Sequence, residues 1–301
     1  MSGAVVVLGA SGQIGRFALP RLIAAGRRVL AIGRRGAPRG YPALEGVRWA
    51  EPAFLESGEL ASAPALLSAG PIDLALRAAP RLPGLERVVC FSTSSLWTKR
   101  DSPDRGERAQ VAAIAAAEAE LETWCDANAV ALALFRPTLI YGCGLDRNVT
   151  RIARWIRRWG VVPLAGRAAG LRQPVHGDDL AATAVAALVD ARPVRLACAL
   201  AGGETLAYRE MVGRIFEALG RAPRTWSVPA PLLTAAAAVA GRLPGFGGLN
   251  AEMVRRQATD LVFDDAPARA RLGHAPRGFH PAAPDFEPPS ADRILALARG
   301  G

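Results

Sequence analysis

AVVVLGASGQIG, residues 4–15, is the stretch on which the reading of this chain turns. Residues 4–9 are an apolar run of strand length. Beyond Gly15 the apolar positions Phe17, Leu19, Leu22 and Ile23 follow helical spacing until Gly26 stops them. Between the two, Gly9, Gly12 and Gly15 form a GxxGxxG spacing. The first glycine allows a tight turn, the second lets the backbone approach a pyrophosphate, and the third lets helix and strand pack closely. Amides at the turn and the helix start, those of Ser11, Gln13 and Ile14 among them, then face the phosphates. A plain turn would leave this spacing unexplained, so the stretch predicts a nucleotide site.

Working outward, RRVLAIGRR at 27–35 supplies the next strand and closes a β-α-β unit. Its strands are nearly continuously apolar, as a parallel sheet buried on both faces requires. GVRWA at 46–50 reads as a third strand and PIDLALRAA at 71–79 as a weaker fourth. ERVVCFSTSS at 86–95 is a fifth, ending in four hydroxyl residues. A helix over 108–128 follows, then the sixth strand VALALFRPTLIYG at 130–142. Helices are predicted at 148–160, 178–190 and 207–220, with a returning strand at 194–200. The last third is richer in Pro, Gly and Ala and reads as a smaller, mostly helical lobe over the carboxyl ends of the sheet. The predicted organisation is a nucleotide-binding core over 1–165, a crossover helix and returning core strand over 166–200, and mainly lobe and tail over 201–301.

The end of the second strand bears on the cofactor. An NAD site places an acid there for the ribose hydroxyls, whereas this chain has Arg34 and Arg35 after Gly33 and no acid until Glu45. Guanidinium groups suit a 2′-phosphate by charge and fork geometry, so the expectation is NADP(H) rather than NAD(H).

The formal net charge of +10 fits a surface that attracts phosphate-bearing partners, or simply an arginine-rich composition. The densest basic patches, at 33–40 and 157–160, lack an interleaved stacking surface, which argues against nucleic acid as a partner. Cys90, Cys125, Cys143 and Cys198 form no CxxC pair, so neither a disulfide framework nor a metal site is expected, and the compartment reads as reducing. With no secretory leader in the sequence, the expected location is the cytoplasm. The Ala-rich run at 230–241 is short of the roughly 20 residues that span a bilayer.

Taken in order, GASGQIG, RVVCFSTSS, FRPTLIYG and QPVHGDDLA resemble the extended or atypical short-chain dehydrogenases/reductases of the NAD-dependent epimerase/dehydratase type. The segment LVFDDAPARARLGHAPRGF near the C-terminus is similar to that family's closing segment. The resemblance implies an α/β fold: a Rossmann-type doubly wound parallel sheet with a small, mostly helical C-terminal lobe. It implies hydride transfer on a nucleotide sugar or related hydroxy or carbonyl compound, and it admits a homodimer packed on helix 108–128. Ser94 matches the family's catalytic serine, with Thr93 and Ser95 as neighbours. Pro137 and Ile140 match the segment that passes the nicotinamide. Arg147, Asn148 and Trp155 match a substrate-side stretch, and His176 borders the lobe.

One family feature is missing. The pattern YxxxK is usually followed four residues on by Glu, which Glu118 matches. Counting back places Ile114 where the lysine belongs and Gln110 where the tyrosine belongs. A glutamine has no titratable proton. Three readings stay open. Displaced chemistry would use Ser94, Tyr141, His176 or Lys99, with Glu107 and Asp101 as further acids. A reductase could manage with little acid catalysis. A non-catalytic sensor or structural protein could bind the dinucleotide without turnover.

Overall fold

Val5–Leu8 is four residues long and every side chain in it is buried. Val5 and Val7 enter one hydrophobic cluster with Phe17, Leu19 and Leu22, while Val6 and Leu8 enter a second with Ile72, Leu121 and Leu134. A strand whose alternate side chains both reach a core belongs at the centre of a sheet covered on both faces. The computed structural model, which describes residues 3–57, 62–240 and 251–300, places this strand, β1, there.

From β1 the chain passes through the glycine turn into α1 (Gly15–Ala24), then β2 (Val29–Ile32), β3 (Val47–Ala50), β4 (Ala65–Ser68) and α2 (Ile72–Ala78). Next come β5 (Arg87–Phe91), α3 (Ser95–Thr98), α4 (Arg105–Ala127), β6 (Ala131–Pro137), β7 (Leu139–Tyr141) and α5 (Val149–Trp159). After β8 (Val162–Ala165), β9 (Leu171–Arg172) and β10 (Pro174–His176), helix α6 (Gly177–Val189) leads to β11 (Leu196–Leu200). The remainder is β12 (Leu206–Ala207), α7 (Tyr208–Ala218), β13 (Thr225–Val228), α8 (Ala230–Ala240), α9 (Ala251–Arg256), α10 (Ala266–Leu272) and α11 (Ala291–Ala298).

The main sheet runs β3-β2-β1-β4-β5-β6-β11 with every neighbour parallel. This is the doubly wound α/β order predicted, and its direction of winding reverses between β1 and β4. Ligands enter such sheets at that reversal, outside the carboxyl ends of the strands.

Residues 71–79 depart from the expected fourth strand and form α2. Asp73 and Arg77, one turn apart, pair at 2.9 Å, and Ile72, Ala75 and Ala78 are buried at helical spacing. The fourth strand is Ala65–Ser68, buried along its whole length between β1 and β5. Four residues carry too few alternations for a period to be read.

Pro20 lies inside α1 and has no N–H for the carbonyl of Arg16, one turn back. Tyr41 Oη donates to that carbonyl at 2.9 Å, which supplies the missing bond from outside the helix. Helix α4 is started by Asp104, whose carboxylate accepts from the amides of Gly106 at 2.7 Å and Glu107 at 3.3 Å. The inward stripe of α4 carries Val111, Glu118, Leu121 and Cys125.

A third core lies beyond the sheet, where Val149, Ala153 and Ile156 of α5 meet Met211, Val212, Ile215 and Phe216 of α7. Tyr141, Phe279 and Phe286 complete it. Three two-stranded pairs, β7 with β10, β8 with β13 and β9 with β12, frame this region. Helix α11 returns to pack on α1. Among the described residues, no helix is long and apolar enough to cross a membrane.

Candidate functional site

At the carboxyl ends of β1, β2 and β4 lies an open cleft of about 600 Å³, lined among others by Gly9, Ser11, Gly12, Gly33, Arg34 and Asp73. Gly9 sits at φ +67°, and a Cβ on it would meet the backbone of Ala69 at 2.8 Å. A Cβ on Gly15 would lie 2.4 Å from the Gly9 carbonyl oxygen. The turn therefore accepts glycine at both places, and its backbone is bared to the cleft as a pyrophosphate requires. Ile14 is core. Gln13 Oε1 is buried with no hydrogen-bond partner among the described residues, although Gln13 does not line the cleft.

Ser94 precedes α3 at the end of β5, and its amide donates to the Pro137 carbonyl at 3.4 Å. Thr93 Oγ1 accepts from the Ser95 amide at 3.1 Å. The neighbouring Ser92 Oγ is buried without a partner among the described residues, and its residue type alone did not separate it from the three hydroxyls that follow. Pro137 is buried and Ile140 half-buried against the sheet core. Gln110 is exposed on α4, Ile114 is half-buried, and Glu118 is buried and paired with Arg136 at 2.5 Å.

The other acid/base candidates are scattered. Tyr141 is 1 % exposed, with its ring edge-on to His176 at 5.1 Å and to Phe279 at 5.0 Å. Burial, reinforced by the charge of Asp285, raises its phenol well above the ordinary value. His176 is equally buried; its Nδ1 accepts from the Asp178 amide at 3.0 Å and its Nε2 faces Asp285 Oδ1 at 3.3 Å. The structure therefore keeps both rings in packing and capping roles away from the cleft. Burial likewise pushes the Cys143 thiol up to about 11.

Lys99 behaves differently. Its Nζ lies 2.9 Å from Glu107 Oε1, and the same carboxylate accepts from Ser102 Oγ at 2.8 Å and from Arg256 Nη2 at 2.6 Å. Burial opposes ionisation of Glu107, but the hydrogen bonds from Arg256, Lys99 and Ser102 outweigh it and lower its carboxyl to about 2. Glu107 thus stays a carboxylate across the neutral range. It lies on the inward stripe of α4, one turn before Val111.

Arg256 also opens onto a second cavity, of about 410 Å³, between α5, β8 and α8. Asn148, Arg151, Arg172 and Trp155 line it with Tyr208 and Gln257, among a larger set of apolar side chains. Asn148 is exposed at the start of α5, where the buried Asp146 does the capping by accepting from the amides of Asn148 and Thr150. Arg147 is exposed and does not line the cavity. Arg172 is 5 % exposed and donates to the carbonyls of Leu171 and Thr259 at 2.7 Å each. Nothing in its residue type marked Arg172 or Arg256 among so many arginines.

Asp178 opens α6 and ties this region to α1 and the C-terminal loop, through Arg21 at 2.7 Å and Arg277 at 3.0 Å. Burial alone would raise its carboxyl, but Arg21, Arg277 and His176 outweigh burial and hold it below the ordinary value. A depressed folded-state pKa contributes stability that is present above the unfolded value, near 4, and is lost as pH falls through the folded value. Asp178→Asn is expected to lower the melting temperature at neutral pH and to flatten its decline from about pH 5 downward. Melting scans across that range check this, and a parallel decline in both proteins would remove Asp178 from the account.

No family model matches the chain, and no curated protein matches it by sequence. Solved structures do match its fold. An epimerase from Methanothermobacter thermautotrophicus superposes with a TM-score of 0.70 at 15 % identity, over 98 % of this chain and 92 % of that one. MoeE5 in complex with UDP-glucose and NAD gives 0.67 at 19 % identity, over 99 % of both chains. The UDP-glucose 4-epimerase of Thermus thermophilus in complex with NAD gives 0.62 at 18 % identity, over 99 % of both chains.

The last two correct the cofactor expectation, because both carry NAD and not NADP. Of Arg34 and Arg35 only Arg34 lines the cleft, which Arg77, Arg81, Glu56 and Asp73 line as well, with Asp73 paired to Arg77 at 2.9 Å. From the strand order, the glycine turn and these superpositions together, the chain has the fold of the NAD-dependent epimerase/dehydratase-like, extended short-chain dehydrogenases, at low sequence identity to them.

Proposed function

We propose that this chain is an NAD-dependent oxidoreductase acting on a nucleoside-diphosphate-linked sugar, with Lys99 as the proton partner in place of the absent tyrosine. The observation that carries the reading is the cluster Lys99–Glu107–Arg256. It joins the α3–α4 segment that follows Ser94 to the arginine-lined cavity through side chains in direct contact. Gly9, Ser11, Gly12 and Gly15 would hold the dinucleotide, with Asp73 and Glu56 at its ribose hydroxyls. Arg151 and Arg256 would meet a diphosphate, with Arg172 bracing the backbone of Leu171 and Thr259 beside them, and the apolar walls around Trp155 would meet a base or sugar ring. Bound NAD supplies the hydride donor and acceptor. Lys99 holds a proton at the substrate oxygen, giving it up as a carbonyl becomes a hydroxyl and taking it back in the reverse direction. Glu107, 2.9 Å from the ammonium, would position it, while the Ser94 hydroxyl can accept or donate at the same oxygen.

Lys99→Met is expected to lower turnover of a responsive UDP-sugar by at least about 100-fold with little change in KM. NADH absorbance reads the rate. Wild-type turnover that survives Lys99→Met would reject this role. Failure of NAD to bind in calorimetry would reject the reading as a whole.

A second reading, binding without turnover, draws on the commitment of Tyr141 and His176 to packing and capping. It predicts that bound NADH keeps its absorbance through a panel of nucleotide sugars.

A further inference from the structure

We propose that the mouth of the arginine-lined cavity docks on an anionic lipid surface, through Trp159, Trp226 and Leu232 with the arginines beside them. These are among the most exposed large apolar side chains of the molecule, at 50 %, 68 % and 64 %. Each is one step from a residue that lines the cavity. Trp159 packs on Trp155 with ring centroids 6.0 Å apart. Trp226 stands in register with Pro163 across the β13–β8 pair. Leu232 precedes Leu233, which faces inward from α8. Each of the three is thus an exposed neighbour of the wall of one cavity, on α5, β13 and α8 in turn.

Helix α8 is unusual in the same direction. Its sequence, APLLTAAAAVA, holds no charged residue. One side, with Leu233 and Ala237, closes the cavity, while Pro231, Leu232 and Ala235 are exposed on the other. A helix apolar all round is stable where both sides are covered, in a core or against lipid.

Charge selects the occupant. The two segments that carry these three side chains, residues 147–177 and 218–240, contain no Asp or Glu. Arg158 lies over the ring of Trp159 at 5.1 Å, and Arg221 and Arg224 lead into Trp226. All three arginines are exposed, with Arg221 Nη1 donating to the Ile156 carbonyl at 2.6 Å, which leaves Arg158 and Arg224 to carry the headgroup contact. Tryptophan with arginine beside an apolar helix face suits the headgroup layer. There the rings and arginine stems bury apolar surface while the guanidinium groups reach lipid phosphates. A formal charge of +10 steers the whole molecule to such a surface. Docking of this kind needs neither NAD nor substrate, so it stands apart from the proposed reaction.

The test is co-sedimentation of the full chain with vesicles of mixed phosphatidylglycerol and phosphatidylcholine, and with vesicles of phosphatidylcholine alone. The expected result is binding to the anionic vesicles only, weakened by salt, and reduced about tenfold by the double variant Trp226→Ser/Leu232→Ser. Both positions are solvent-facing, so a melting scan that matches wild type verifies the folded state. Three results would overturn the proposal. One is no sedimentation with anionic vesicles. Another is sedimentation unchanged by the double variant, which would mean general arginine attraction. The third is a wild-type dimer that the double variant converts to monomer without any vesicle binding, which would assign these side chains to a second copy of this chain.

Discussion

Glu118→Ala is expected to destabilise the protein by about 3–5 kcal/mol, the usual cost of stripping one partner from a buried ion pair. Glu118 and Arg136 have side-chain exposures of 8 % and 18 %, and the guanidinium meets the carboxylate through Nη2 at 2.5 Å and through Nε at 3.2 Å. Arg136 lies 5.3 Å from the centre of the Trp97 ring, and that ring stacks on Phe263 at 5.2 Å. Removing the carboxylate leaves a charged guanidinium under an aromatic lid with no counter-ion. The double variant Glu118→Leu/Arg136→Met removes both charges with similar volume and is expected to recover most of the loss. Urea denaturation of the three proteins decides this. A single variant as stable as wild type would mean that water reaches the pair.

Gly12→Val is expected to weaken NAD binding by at least about 100-fold while the protein stays folded. A Cβ at Gly12 lies 3.0 Å from the Gly9 carbonyl oxygen, a contact that a small shift relieves, and the added methyls stand at the cleft where the pyrophosphate must approach. Gly15→Val serves as the contrast. Its Cβ would lie 2.4–2.7 Å from three backbone atoms of Gly9 and Ala10 at once, contacts too short for a small shift to relieve, so this variant is expected to lose the fold itself. Calorimetry with NAD and a melting scan separate the two outcomes. Normal NAD affinity in Gly12→Val would place the dinucleotide elsewhere.

The parts of this molecule legible in the sequence are those set by neighbouring residues. The glycine turn is one, because its spacing, the strand before it and the helix after it all lie within the first 24 residues. The long buried strands β5 and β6 are another, since their apolar runs exceed any single turn. The four residues of β4 are too short a run to show a period, and α2 looks like a strand in sequence because its apolar content masks its one charge pair, Asp73–Arg77. At the site, Glu118 can be placed by counting along α4, but its partner Arg136 comes from strand β6. Lys99 could be singled out as the only lysine. That it shares Glu107 with Arg256 could not be read, because Arg256 lies on a helix 149 residues beyond Glu107. In a chain so rich in arginine, residue type carries little information and only position does.

The return of α11 onto α1 bears on how the chain is made. Helix α1 begins at the nucleotide turn, yet its outer side is covered by residues 291–298 and its inner side by α6. During synthesis the glycine turn emerges among the first residues, but the helix behind it waits for nearly the whole chain before its apolar surface is enclosed. Contacts of such long sequence separation form late, after costly loop closure. Competence to bind a dinucleotide is therefore expected to appear near the end of folding rather than with the N-terminal half, and a nascent chain released before α11 would expose the side of α1 that α11 covers, just behind the glycine turn.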